Sequence, residues 1–442
     1  MANLRALLTL AGPIAVSQLA QTSMGFVDTV MVGRLGETDL AAVSLGSASF
    51  FGVLVFALGV LVGVGPLVAQ AYGAADDRSV GEVGRHGFIL AALMTPVVLG
   101  VLALLGSQLP RIIDEVEVAR LAQGYLGAVS WSVLPFLGFV ALRSWLEALN
   151  RPLVVTAFAL VTVLVNVLGN YVFVYGHWGA PAMGAIGTGY ATSISNAFLF
   201  LGLAGFTLSQ PELRRRQLFA FAKPVNWSRI LELLKVGGPI GLSFGIEVAL
   251  FSVTALLVGG LGATALAAHQ IVIQCAAVAF MLPLSVALAS TIRVGNLVGA
   301  GRPEAARKAG WLGIGFGSSL MLMSATAFLV FPTDILHLFL GEFDEAELPV
   351  VELATGLLVY AAAFQVVDGI QATAAGALRG LKDTFAPMII GLISYWAIGL
   401  TSGNLLSRTY GVEGYWMGLV LGLAAAAVLL VGRWWVRSRR LI

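Results

Sequence analysis

The sequence predicts an all-α membrane protein with twelve transmembrane helices in two six-helix, pseudo-symmetric lobes. Three observations predict it. Of 442 residues, 58% are hydrophobic and only 11% are Asp, Glu, Lys or Arg, against about 25% charged residues in a soluble domain. Apolar runs recur along the whole chain, and a bilayer core about 30 Å thick takes about 20 apolar residues per helix. Finally, the first half of the sequence aligns on the second.

Taken in order, the spans are the apolar runs left between turn signals. The first, near 7–32, follows Arg5; it is too long for a secretory core and has no small-residue cleavage site, so it reads as an uncleaved span. RLGETD separates it from a second near 40–72, and GAADDR opens a third near 84–106. An acidic loop with Asp114, Glu115 and Glu117 precedes the fourth, near 118–147, and Pro152 starts the fifth, near 153–175. The sixth lies near 182–208. A basic linker with Arg214, Arg215, Arg216, Lys223 and Arg229 then interrupts the pattern. Six more spans follow near 230–259, 264–298, 308–331, 347–378, 385–407 and 412–436, the ninth and tenth joined by a loop with Glu342, Asp344, Glu345 and Glu347. The expected organisation is an N-terminal lobe over 1–209, a cytoplasmic linker over 210–229 and a C-terminal lobe over 230–442.

With both termini and the linker in the cytoplasm, all of the 25 Lys and Arg residues except Arg34, Arg111, Arg120 and Arg408 fall at cytoplasmic ends, as the positive-inside rule requires. The two acidic loops are outside and read as solvated. The net charge of +2 carries no information about partners. No polar stretch is long enough to close a soluble catalytic or nucleic-acid-binding domain, and the single cysteine, Cys275, excludes an intramolecular disulfide and a Cys-rich metal site.

The segment from Ala11 aligns without a gap on the segment from Gly237, an offset of 226 residues that also sets Gly73 on Gly299 and Pro13 on Pro239. Six spans per half, both starting inside, make a parallel repeat; transporters commonly place their substrate path at such a repeat interface. Pro13, Pro66, Pro135, Pro239 and Pro283 each remove a helix hydrogen bond within a span. A kink shared by both lobes accounts for the equivalent pair.

Three acids remain at membrane depth: Asp28 in span 1, Glu247 in span 7 and Asp368 in span 10. A carboxylate at the bilayer centre costs about 2.5–3.5 kcal/mol, so each must be protonated, matched by a cation or wet. With the basic residues sorted to helix ends, no Lys or Arg is left to partner them. Under the repeat Asp28 meets Thr254 and Glu247 meets Gln21, so the scaffold does not itself require the acids. The plain alternative for each is a protonated carboxyl bonded to a neighbouring helix. Asn166 and Asn170 share a face of span 5, and Thr188 and Thr192 a face of span 6. With Asp28 they could supply oxygens to a small cation or cage a proton. In the other lobe Ser243 precedes Glu247 by one turn, Gln270 and Gln274 share a face of span 8, and Gln365 and Gln371 flank Asp368. Each could equally be an ordinary interhelical hydrogen bond, about 0.6 kcal/mol on average. His269, at the start of span 8 near the outer surface, reads as structural, Arg143 and Glu147 as an ion pair, and the sequon at Asn226 as inert because it lies inside.

No P-loop, HExxH, paired-cysteine motif or nucleophile elbow occurs. Neither ATP hydrolysis nor an enzyme reaction is supported, no cofactor is implied, and the membrane gradient is the obvious energy source.

The stretch LAQTSMGFVDTVMVGRLGETDLAAVSLG from Leu19, with QAYGA from Gln70, ALNRP from Ala148, LVNVLGNYVFVYG from Leu164, LAAHQIV from Leu266 and GALRGLKDT from Gly376, resembles the multidrug and toxic compound extrusion (MATE) transporters of the bacterial NorM-like branch. The resemblance covers essentially the whole chain. It implies a V-shaped, twelve-helix exporter of the bacterial cytoplasmic membrane, a monomer, exchanging Na+ or H+ for cationic lipophilic drugs. Asp28 in GFVDT, Asn166 and Asn170 resemble the N-lobe cation or proton site, with Thr188 a weaker candidate; Glu247 and Asp368 match the acids that set the NorM-like branch apart from the DinF branch. Na+ is then expected at Asp28, Asn166 and Asn170 or at Glu247 and Asp368, with Gln270, Gln274 and Gln365 in the C-lobe site. Phe364 stands where some members have Tyr, which removes one ligand oxygen. The expected mechanism is alternating access, in which neutralising a carboxylate changes which way the cavity opens. The competing readings are a lipid-linked-precursor flippase of the same superfamily, for which a cationic cavity is expected, and, further off, a passive channel or a membrane-embedded enzyme.

Overall fold

Hydrocarbon offers a peptide group no hydrogen-bond partner, so a chain this apolar must close its backbone bonds within each segment. The computed structural model does so with helices, and no strand occurs among the described residues. It describes residues 2–341, 344, 345 and 347–441, so Glu342 of the second acidic loop lies outside the described residues. In chain order the helices are α1 (Ala2–Gly33), α2 (Glu37–Val62), α3 (Val64–Gly73), α4 (Asp77–Ile112), α5 (Val116–Ser130), α6 (Val133–Ala148), α7 (Pro152–Phe173), α8 (Ala185–Ser209), the single turn α9 (Pro211–Arg214), α10 (Trp227–Gly259), α11 (Ala263–Gly299), α12 (Pro303–Val330), α13 (Pro332–Leu340), α14 (Leu348–Gly380), α15 (Phe385–Leu392), α16 (Thr401–Tyr410) and α17 (Val412–Arg439). A stretch of π-helix, Ile393–Leu400, joins α15 to α16.

Counting α2 with α3, α5 with α6, and α15 through α16 as single spans gives the expected twelve. Ten are long and apolar enough to cross a membrane, and α5 with α6 adds an eleventh, bent by 50°. The twelfth is α1, whose 32 residues are long enough, although Ser17, Gln18, Gln21, Thr22, Ser23 and Asp28 dilute its apolar character. The bend after Ser130 has a local cause. Pro135 has no N–H to return to the carbonyl of Trp131, and Ser132 turns its own hydroxyl onto the Val129 carbonyl at 2.6 Å. The helices outrun the apolar runs at their charged ends: α4 begins at Asp77 and ends at Ile112, whereas hydropathy alone suggested 84–106.

The chain forms two compact units, Val16–Gly241 and Met1–Ala15 with Leu242–Ile442. These limits differ from the linker-bounded lobes. Both cuts fall inside helices, in α1 after Ala15 and in α10 after Gly241, and the two positions are equivalent under the 226-residue offset.

Within the first unit, the start of α10 is held on α2 through glycines four apart on each helix. A Cβ on Gly59 would lie 2.5 Å from the Gly241 Cα, and one on Gly237 would lie 2.1 Å from the Val60 carbonyl oxygen, so only hydrogen fits at the crossing. The linker belongs to this unit too, because it is fastened to α4. Arg216 Nε donates to Asp77 at 2.9 Å, Arg85 donates to the carbonyls of Ala220 and Pro224 at 3.2 and 3.3 Å, the Asn226 backbone N–H donates to His86 Nε2 at 2.8 Å, and its side chain donates to Glu82 at 2.8 Å. Asn226 is thus a structural residue.

In the second unit, Leu7, Leu10, Ala11 and Ile14 of α1 share a core with Val286, Ala289 and Ile292 of α11. The larger core joins α11, α14 and α17 around the fully buried Trp416. Asp383, after α14, is clamped by Arg433 at 2.9 and 3.0 Å and by Arg437 at 3.1 Å, both on α17.

Candidate functional site

In the first unit, three helices converge on one carboxylate. Asp28 lies five residues before the end of α1, and the Tyr175 hydroxyl, donating to the Met31 carbonyl at 2.7 Å, ties that end of the helix to the segment after α7. Asn166 and Asn170 are one helical turn apart on α7 and both face Asp28, whose Oδ1 accepts from their Nδ2 atoms at 3.1 and 2.6 Å. Its Oδ2 accepts from the Thr192 hydroxyl of α8 at 3.0 Å. Asn166 and Asn170 are fully buried and Asp28 nearly so. All three partners are neutral donors, and three donors to one carboxylate stabilise its charged form.

Thr188 is buried one turn from Thr192, but its hydroxyl makes no hydrogen bond among the described residues. The structure therefore gives Thr192, not Thr188, the contact with Asp28. Asn170 Oδ1 is also without a partner among them. Two buried oxygens on adjacent helices thus have unused acceptor capacity, as a group that receives a cation or a protonated carboxyl requires.

In the second unit, Asp368 is buried on α14 and its Oδ1 accepts from Gln371 Nε2 at 3.1 Å. Gln371 Oε1 in turn accepts from the Tyr395 hydroxyl at 3.0 Å. Tyr395 stands in the π-helical stretch Ile393–Leu400, a feature frequent at functional sites. Nothing local in the sequence pointed to it. Gln365 is buried, but neither of its side-chain polar atoms has a hydrogen-bond partner among the described residues. Gln270 and Gln274 are exposed on α11 and make no hydrogen bond to either acid among the described residues. Of the three glutamines expected at this site, the structure bonds none to the acids; it is Gln371 that reaches Asp368.

Glu247 corrects a further expectation. It lies half-buried on α10, and it has a basic neighbour: the Arg379 guanidinium acts on it electrostatically and sits 5.1 Å from the centre of the Phe244 ring, three residues before Glu247. Arg379 looked like a cytoplasmic end charge because it closes α14, but a helical side chain leans toward the N-terminus of its helix, here back into the span. The remaining candidates are structural. His269 is buried, not solvated, its ring edge-on to Trp416 at 5.6 Å. Arg143 and Glu147 pair at 2.9 Å, largely buried. Phe364 fills its position by aromatic contact with Trp416 at 5.8 Å and Phe251 at 6.1 Å.

The fold matches an outward-facing multidrug resistance MATE family transporter of the MOP superfamily at a TM-score of 0.88 and 20% identity, over 99% of this chain and 96% of that one. Among curated proteins, the chain is 40% identical to a probable multidrug resistance protein NorM of Mesorhizobium japonicum, over 99% of this chain and 94% of that protein. It is 39% identical to a probable multidrug resistance protein NorM of Deinococcus radiodurans, over 99% and 96%. The family model MatE matches twice, over residues 13–172 and 239–403, beginning 226 residues apart in agreement with the internal repeat. Those paired matches and the full-length relatives establish that the chain belongs to the MatE family.

Proposed function

We propose that this protein is a secondary active multidrug efflux transporter of the bacterial cytoplasmic membrane, with both termini cytoplasmic, that exports cationic lipophilic compounds in exchange for Na+ or H+ by alternating access. The relatives named as multidrug resistance proteins support the activity. The observation that carries the coupling is Asp28, a buried carboxylate held by three neutral donors, with no basic side chain paired to it among the described residues. Such a group gains by taking up a monovalent cation or a proton, and that gain can be made to depend on which side of the membrane the site faces. Asp368 and Glu247 form the second acidic group. Drug cation and coupling ion then compete for the same negative charge, and reciprocity makes each weaken the binding of the other. The anionic phosphates of a lipid-linked precursor would meet carboxylates here, which disfavours a flippase.

The driving force sets a lower bound on the exchange. A one-for-one swap of monovalent cations moves no net charge, and a tenfold ion gradient then sustains only a tenfold drug gradient. A second ion adds about 1.4 kcal/mol per tenfold gradient and brings in the membrane potential, about 2.3 kcal/mol per charge at 100 mV.

The test is efflux of an ethidium-like cation from proteoliposomes under imposed Na+ or pH gradients. Wild-type protein is expected to respond to one of the two gradients and to leave anionic dyes in place. Asp28→Asn is expected to lower gradient-driven efflux at least about tenfold, the loss of roughly one charge-assisted site. Wild-type coupling in that variant would refute the assignment.

A further inference from the structure

We infer that Arg379 is a built-in counter-ion for Glu247, so that the cluster of Glu247, Asp368 and Arg379 carries one uncompensated negative charge, at Asp368, and takes up a single monovalent cation or proton per transport cycle. This rests on the coupling role proposed above for the acids and divides it between them.

The argument begins with where Arg379 can find an anion. Its nearest acidic residue in sequence, Asp383, is already held by Arg433 and Arg437 at 2.9–3.1 Å. The Arg379 side chain makes no hydrogen bond to it or to any other residue among the described residues. Its guanidinium lies instead over the Phe244 ring at 5.1 Å, and Phe244 and Glu247, three apart, share a face of α10. Glu247 lies within the electrostatic reach of both Arg379 and Asp368. Asp368 and Arg379 are eleven residues apart on α14, just over three turns and about 16 Å along the helix axis, so they face the same way. The α10 carboxylate therefore stands between the α14 acid and the α14 base. Tyr395 is the remaining titratable group acting on this cluster, and it faces the acid end through Gln371.

The charges then decide the number of ions. Two carboxylates and one guanidinium leave one net negative charge, which one cation or one proton cancels. Removing Glu247 alone leaves the cluster neutral with Asp368 ionised, so it no longer gains by taking up an ion. Removing Arg379 alone leaves two negative charges at membrane depth. Removing both restores the net charge of the wild type, with Asp368 as the exchanging acid. This pattern separates a counter-ion pair from two independent coupling acids, because only the pair predicts that a second substitution repairs the first.

The test is a double-substitution cycle on the full-length protein, read in two ways. The first is thermal unfolding in detergent. Removing either partner of an ion pair leaves the other without its neighbouring opposite charge, so Glu247→Gln and Arg379→Gln are each expected to lower Tm by about 4 °C or more, and the double variant to recover at least half of the loss. The second is gradient-driven efflux in proteoliposomes. Glu247→Gln is expected to lose coupled efflux at least tenfold, Glu247→Gln with Arg379→Gln to regain several-fold over that single variant, and Arg379→Lys, which keeps the charge but not the stacked guanidinium, to retain more efflux than Arg379→Gln. Additive Tm losses, or a double variant as inactive as Glu247→Gln, would overturn the counter-ion role. The unfolding cycle does not depend on transport. If wild-type protein moved no cation, only the function reading would fail; if Asp28→Asn lost coupling but the cycle stayed additive, only this inference would.

Discussion

At the scale of single residues, the two acidic groups differ in what neutralises them. Asp28 accepts from two amides and a hydroxyl, so the cation or proton proposed to bind there would meet only neutral donors; Glu247 has a guanidinium nearby. The contacts around Asp28 separate two threonines that sequence spacing treats alike. Thr192→Val removes a donor that stabilises the ion-free carboxylate and is expected to lower the coupling ion's half-saturating concentration about tenfold, the value of one charge-assisted hydrogen bond. Thr188→Val removes a hydroxyl with no bonded partner and is expected to change it less than about threefold. Ion-titrated efflux checks both, and a larger effect at Thr188 would place that hydroxyl on the ion instead. Asp28, Asn166 and Asn170 were legible in the sequence, because an isolated acid in an apolar run and two amides one turn apart are local patterns. Choosing between Thr188 and Thr192 needed the rotation of α8 about its axis, which no local pattern carries.

At the scale of elements, glycine fixes how closely helices approach. The crossing of α2 and α10 is backbone against backbone at Gly59, Gly63, Gly237 and Gly241. Gly237→Ala would drive a methyl into the Val60 carbonyl oxygen, a clash that no rotamer relieves. The expected result is a Tm lower by about 4 °C or more, as for overpacking of a tight contact, whereas Gly238→Ala, where a Cβ meets nothing within 4 Å, should leave Tm within about 1 °C. Equal losses at the two positions would show that helix propensity, not the crossing, is at stake. Span number and order were readable from hydropathy alone. The helix ends were not, because α4 and α14 continue through charged residues whose partners lie far away in sequence: Glu82 on Asn226, and Arg379 above Phe244.

At the scale of the whole molecule, the linker is a strap on α4 and not a free tether between lobes. Replacing Asn226 and Arg216 by Ala removes its side-chain bonds to Glu82 and Asp77. Cleavage by trypsin at Arg214 and Arg215 is then expected to speed up several-fold in membranes, as local opening becomes cheaper. If the linker is cytoplasmic, cleavage should occur in inside-out vesicles and not in right-side-out ones; the reverse would invert the proposed topology. The same strap explains why the compact units do not divide at the linker.

The sequence by itself determined that this is a twelve-span, duplicated membrane protein with three acids at depth, because hydropathy, the 226-residue repeat and the scarcity of charge are properties of the chain as a string. Only the tertiary structure decided what Asp28 and Glu247 face: amides and Thr192 for the first and an arginine for the second. The physical reason is that helix rotation and crossing distance set those contacts. Both are fixed by packing between segments more than a hundred residues apart.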